Sequence, residues 1–243
     1  LPFGVTAIII TVFTKYHGFL VGHFADDEQF AVYRVGVLQI PLMMLVLESA
    51  IQILTPEIAR LQNEGNRHEI MRLCLRASVK VAALFLPTFV FLFLMTEEFI
   101  IVCFTDAYLA SSNIMRANLF EFLIVLLILD PVVRAYEELK YLRLRLYGAG
   151  LIALFLMGEW VITNWGAAGA VAMTLSVYFI NKLVTLWRVA QTLGAAREDL
   201  KPLSDLRHIF RGCLAGGCLA AASKLWLPLA LAGWSGRYPW LAS

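Results

Sequence analysis

The stretch "YRVGVLQIPLMMLVLESAIQILTPEIARL", residues 33–61, is apolar enough to sit in lipid, yet it carries Arg34, Gln39, Pro41, Glu48 and Gln52. A charge at membrane depth costs on the order of 2.5–3.5 kcal/mol even on lenient insertion scales, so such residues face a bundle interior or a wet cavity. On a helical wheel of about 100° per residue, Pro41, Glu48 and Gln52 fall within roughly 40° of Arg34, while Gln39 falls about 140° away. One span over residues 31–54 with a polar face is therefore expected, kinked at Pro41. Arg34 and Glu48 are separated by about 21 Å of helical rise and cannot pair with each other.

Working outward, the same character runs through the chain. Of 243 residues, 60% are apolar and only 16% charged, and the mean hydropathy is +0.74. Soluble domains hold roughly 45–50% apolar and about 25% charged residues. The excess falls in blocks of about 17–24 residues, long enough to cross a ~30 Å hydrocarbon layer. An all-α polytopic bundle with about seven transmembrane helices follows, near residues 2–23, 31–54, 79–96, 113–133, 145–163, 166–188 and 209–231. The first residues already belong to a hydrophobic helix, and the chain is expected to be a fragment of a longer protein.

Charge orients these spans. Fifteen of the 20 Lys and Arg residues fall in three segments: 56–80, 134–145 and 182–211. The alternate connections, "FADDEQF", "TEEFIIVCFTDAYLASS" and "TNWGAAG", are acidic or uncharged. The positive-inside rule makes the basic segments cytoplasmic. Trp160, Trp165, Trp226, Trp234 and Trp240 then gather toward the outer boundary, as an interfacial belt does. After Pro56, the run at 56–78 places Ile58, Leu61, Ile70, Leu73, Cys74 and Ala77 at near-helical spacing among basic residues, broken at "NEGN". It reads as an amphipathic segment on the cytoplasmic surface, drawn to anionic lipid. Pro87 falls inside span three, and the small-residue runs "GAAGAVAM" and "GCLAGGCLAAAS" allow close helix approach.

Span one carries a matching polar face: Thr11, Gly18 and Gly22 lie within about 60° of Lys15, with His17 off that face. Span four adds Arg116 near the outer end and Glu121 deeper. Two arrangements satisfy these charges. An interior ion pair, such as Lys15 with Glu48, orders the bundle. Alternatively, the stripes line a hydrated, partly cationic cavity, which suits phosphate or pyrophosphate.

No enzyme is expected. The four histidines match no zinc spacing, Cys74, Cys103, Cys213 and Cys218 form no CxxC pair, and no Walker A pattern occurs. "ADDE" at 25–28 reads as an outer acidic loop. No cofactor, metal or nucleic acid is expected.

The motif order "GFLVGHFADDEQFAVYRVGVLQIPL", "TPEIARLQNEGNRHEIMRLCLRASVKVAALFLPTFVF", "FTDAYLASSNIMR" and "NWGAAGAVAMTLSVY" resembles the second half of a bacterial oligosaccharide (O-antigen or polysaccharide) flippase. That family belongs to the multidrug/oligosaccharidyl-lipid/polysaccharide exporter superfamily. The resemblance covers about residues 10–190. It implies a six-helix C-terminal lobe over 1–190, a cytoplasmic linker over 191–208 and an additional helix with an outer tail over 209–243. A missing N-terminal lobe would complete a two-lobed transporter of the inner membrane. It would flip a lipid-linked oligosaccharide on a polyprenyl pyrophosphate carrier by alternating access, without ATP, beside membrane lipids and polysaccharide-assembly proteins. Lys15, Arg34, Glu48, Gln52 and Arg116 are then the expected substrate path. His17 stands where relatives often carry an acidic residue, so it is a candidate coupling group. A lipid II flippase, a multidrug antiporter and a membrane-embedded glycan polymerase or ligase are the alternatives. An antiporter for cationic drugs should show an acidic cavity, and a polymerase or ligase a large outer loop.

Overall fold

The computed structural model describes residues 2–139, 141–194, 199, 202, 207–214, 216–218 and 221–222. The protein is an all-α polytopic membrane protein. Nine α-helices are described: α1 (Pro2–Phe24), α2 (Asp27–Gly36), α3 (Pro41–Asn63), α4 (Arg67–Leu94), α5 (Thr96–Cys103), α6 (Ser112–Leu119), α7 (Glu121–Val125), α8 (Asp130–Ala135) and α9 (Leu142–Leu193). Among the described residues, four helical stretches have the length and composition to cross a membrane: Gly4–Phe24, Pro41–Asn63, Arg67–Leu94 and Glu137–Leu193.

The last of these is two spans. At about 1.5 Å per residue, 52 helical residues would reach ~78 Å, far beyond a bilayer core. The chain turns instead at Gly166, whose φ of 62° and ψ of −160° lie outside any helix. A Cβ on Gly150 would stand 2.9 Å from Val177 Cγ1 and 3.2 Å from Asn181 Nδ2, so the two arms lie side by side as a hairpin. They match the expected spans 145–163 and 166–188. Expected spans one and three match α1 and the body of α4, with Pro87 inside α4.

Span two is not one helix. It breaks at residues 37–40 between α2 and α3, and Pro41 opens α3 rather than kinking its interior. The proline ring excludes the preceding residue from the α region. Ile40 is accordingly extended, with φ −86° and ψ 108°. The common wheel for Arg34 and Glu48 therefore does not exist. Pro56, expected to end the helix, sits inside α3, which runs on to Asn63.

Span four is also broken, into α6, α7 and α8. Non-helical backbone at membrane depth needs internal hydrogen-bond partners. At the second break the Ile128 amide donates to Ser78 Oγ of α4 at 3.2 Å. Of the expected span 209–231, residues 209–214, 216–218 and 221–222 are helical, and its remainder lies outside the described residues. The same holds for most of the 191–208 linker, the outer tail and Trp226, Trp234 and Trp240.

The 56–78 run is not a separate helix. It forms the end of α3 and the start of α4, turning at Gly65 (φ 73°) with Asn66 accepting from the Glu69 amide. The turn falls at "NEGN" as expected. Its apolar face points inward: Ile58 and Ile70 are fully buried and pack with Val132 and Val189. A second cluster joins α1 to α9 through Phe13, Leu154 and Ala170.

Tertiary contacts sort the loops by charge. At one end, Gln62 donates to the Ala135 carbonyl at 2.8 Å, Arg67 to the Thr192 carbonyl at 3.2 Å, and Arg72 to Asp199 at 3.0 Å. These contacts join the three basic segments. At the other end a cavity of about 600 Å³ is lined by Asp26, Glu28, Ala110, Thr163 and Gly166, which join the three acidic or uncharged connections. Phe13 meets Tyr147, Tyr16 meets Phe155 and Leu20 meets Gly158, so α1 and the first arm of α9 run parallel. Strict alternation requires that of spans one and five.

Candidate functional site

α1 and α2 fold back on each other because glycine leaves room. A Cβ on Gly18 would stand 2.9 Å from the Tyr33 hydroxyl, and one on Gly22 would stand 3.5 Å from the Phe30 ring. This explains the glycines on the Lys15 face: they admit the aromatic face of α2. Tyr33 is buried, and its hydroxyl shares a 2.7 Å hydrogen bond with His17 Nδ1.

A cavity of about 780 Å³ opens beside this contact, between α1, α2, the start of α3, α6–α7 and the second arm of α9. Lys15, His17, Arg34, Gln39, Asn118, Glu121 and Tyr178 supply its polar lining. The field of Lys15 reaches both Glu121 and His17. Neither Lys15 nor Arg34 has an ion pair or side-chain hydrogen bond among the described residues. Two such cations in a partly apolar recess can hold a phosphate by charge-assisted hydrogen bonds, Arg34 with two parallel donors. Phe30 and Tyr33, with ring centroids 5.7 Å apart, form an aromatic wall beside them.

Of the expected path residues, Lys15, His17 and Arg34 come together here. Gln39 joins them, although the wheel put it on the opposite face. The break before Pro41 turns it inward. Glu48 and Gln52 do not come to the cavity. Both are exposed on α3, so the expected Lys15–Glu48 pair is absent and Glu121 is the carboxylate facing Lys15. Arg116 also stands apart, donating to Glu97 at 2.8 Å near the acidic end. Asp26 of the "ADDE" loop caps α2, accepting from the Gln29 amide at 2.8 Å.

Sequence reasoning missed a second charged cluster. Asp130 at the start of α8 pairs with Arg143 of α9 at 3.2 Å, and the fields of Lys182 and Arg134 also act on it. Lys182 is only 7% exposed. Its signal was its place inside an apolar helix, but it counts equally well as a loop-flanking base.

Residues 2–113 match the sequence model of a family described as polysaccharide biosynthesis protein. No curated protein and no solved structure matches the chain. At that coarse level the match supports a membrane protein with a role in polysaccharide biosynthesis or transport. The matched segment contains α1, α2, Lys15, His17 and Arg34.

Proposed function

We propose that the chain is one lobe of a flippase that moves a lipid-linked oligosaccharide, carried on polyprenyl pyrophosphate, across the bacterial inner membrane by alternating access. It transports and does not catalyse. The observation that carries this reading is the cavity in which Lys15 and Arg34 stand without ion-pair partners among the described residues. A pyrophosphate would satisfy both cations, and the aromatic wall offers sugar rings a flat apolar contact. The match to polysaccharide biosynthesis proteins supports the substrate class. Lipid II shares the pyrophosphate chemistry and would use the same recess. A cationic drug would be repelled by it, which disfavours the antiporter reading.

The test is flipping by the full-length protein with Lys15→Ala, Arg34→Ala and the double substitution. A charge-assisted hydrogen bond contributes about 1.5–3 kcal/mol, so each single change should slow transport roughly tenfold or more. Unaltered transport in the double variant at normal membrane abundance sinks the cationic path through Lys15 and Arg34, and no transport by the wild-type protein sinks the flippase reading.

A further inference from the structure

A separate cavity of about 540 Å³ lies between α1, α8 and the start of α9, lined by Thr6, Ile10, Thr11, Val133, Arg134 and Arg143. It sits toward the basic end of the molecule. Beside it, one carboxylate, Asp130, is acted on by three cations: Lys182, Arg143 and Arg134. Arg143 is committed to Asp130 and also lies over the Tyr147 ring, 5.8 Å from its centroid. Lys182 is buried behind them. Arg134 is exposed and has no ion pair among the described residues. The next carboxylates along the chain, Glu137 and Glu138, are exposed.

The cluster thus holds two positive charges more than it balances, on segments that pack in an apolar bundle. Exposed Arg134, with no ion pair among the described residues, can complete an anion site beside Arg143. We propose that Arg134 and Arg143 form a binding site for a lipid-borne phosphate at the basic end of the α1–α9 groove. The fork of Arg143 is held in place by Asp130 and Tyr147, so its geometry is fixed before the ligand arrives. Arg134 supplies the unpaired charge. Ile10 and Val133 give the adjoining chain an apolar wall.

The site adjoins the central cavity. Thr11 lines both, and Lys15 lies one helical turn further on the same face. If the flippase reading holds, Thr11 marks the boundary between this cavity and the one holding Lys15, and the site is where the substrate headgroup first docks. An anionic phospholipid offers the same chemistry from the surrounding bilayer.

Direct binding to the full-length protein in detergent, read by native mass spectrometry, tests this. The probes are geranylgeranyl pyrophosphate, dioctanoyl phosphatidylglycerol and, lacking net charge, dioctanoyl phosphatidylcholine. At least one anionic probe should bind about tenfold or more tightly than the zwitterionic one. Arg134→Gln should weaken that binding roughly tenfold, and Arg143→Gln at least as much. Arg34→Gln should leave phosphatidylglycerol binding within about twofold, which separates this site from the central cavity. Preference for the pyrophosphate assigns the site to substrate docking, and preference for phosphatidylglycerol assigns it to bilayer lipid. Either upholds a phosphate site. Because Arg134 is exposed and makes no ion pair with Asp130, its substitution gives a clear result even if Arg143→Gln misfolds. Binding unchanged in Arg134→Gln, or equal binding of charged and zwitterionic probes, overturns the proposal. A binding defect in Arg134→Gln together with no flipping by the wild-type protein would sink the flippase reading and leave this site standing.

Discussion

Two regions of this bundle each hold an apolar core but differ in where their polar residues end up. Around α3, α4 and α8 the packing is dry: Ile58, Ile70 and Val132 are fully buried against one another. The polar residues of α3 are turned away from that core. Glu48 and Gln52 are exposed, and Ser49 satisfies itself by donating to the Leu45 carbonyl at 2.7 Å. Around α1, α2 and α9 the apolar core opens on one side into a polar-lined cavity. Glycines bring those helices close on one side, at Gly18, Gly150 and Gly158. On the other side Lys15, Arg34 and Glu121 border open space. A polar residue on an apolar helix becomes part of a path only when the neighbouring element leaves room opposite it. Composition and period along one helix do not contain that information.

The strongest challenge to this contrast is Gly36→Val. A Cβ there would stand 2.6 Å from both Ile114 Cβ and Cγ2 and 3.1 Å from the Ser111 carbonyl oxygen. Neither neighbour is a flexible side-chain end, so the end of α2 must shift, at a cost of about 3 kcal/mol. We expect loss of folded protein, measured as the monodisperse fraction after detergent extraction. A wild-type yield would mean that the cavity region is not held to α6 as described.

Next comes a direct comparison of carboxylates. Glu121→Gln should slow flipping roughly tenfold, because it removes the charge facing Lys15 in the cavity. Glu48→Gln should stay within about twofold. The opposite ranking in a transport assay would move the path to the outer face of α3.

In the dry region, Ser78→Ala removes the oxygen that accepts from the Ile128 amide and leaves a buried donor unmet. A loss of about 1–2 kcal/mol is expected, seen as a lower thermal midpoint with transport retained. The smallest effect is predicted for Arg116→Ala. Its partner Glu97 is about half exposed, at 49%, and such pairs contribute roughly 0–1 kcal/mol. Unchanged midpoint and transport would separate Arg116 from the cavity residues. A large transport defect would restore it to the path.

Much of the fold was legible in the chain. The long apolar blocks gave α1, α4 and both arms of α9, and even the turn between the arms, since "TNWGAAG" interrupts the hydropathy at Gly166. The alternation of basic and acidic connections anticipated which loops meet at each end. Lys15, His17 and Arg34 were legible as polar intrusions. Gln39, Tyr178 and the Asp130 cluster were not read as site residues, because each matters through a neighbour distant in sequence. Span two misled because an apolar stretch was treated as one helix. Pro41 was weighed as a kink, when the constraint it places on Ile40 ends one helix and begins another.

The sequence by itself determined that this chain is a membrane helical bundle, and which loops share a side, because hydropathy and charge act locally against a planar bilayer. Only the tertiary structure decided which intramembrane charges share a cavity. That choice depends on where a helix breaks and which small residues let a neighbour approach. Both place Lys15 and Arg34 in one recess and leave Glu48 outside it.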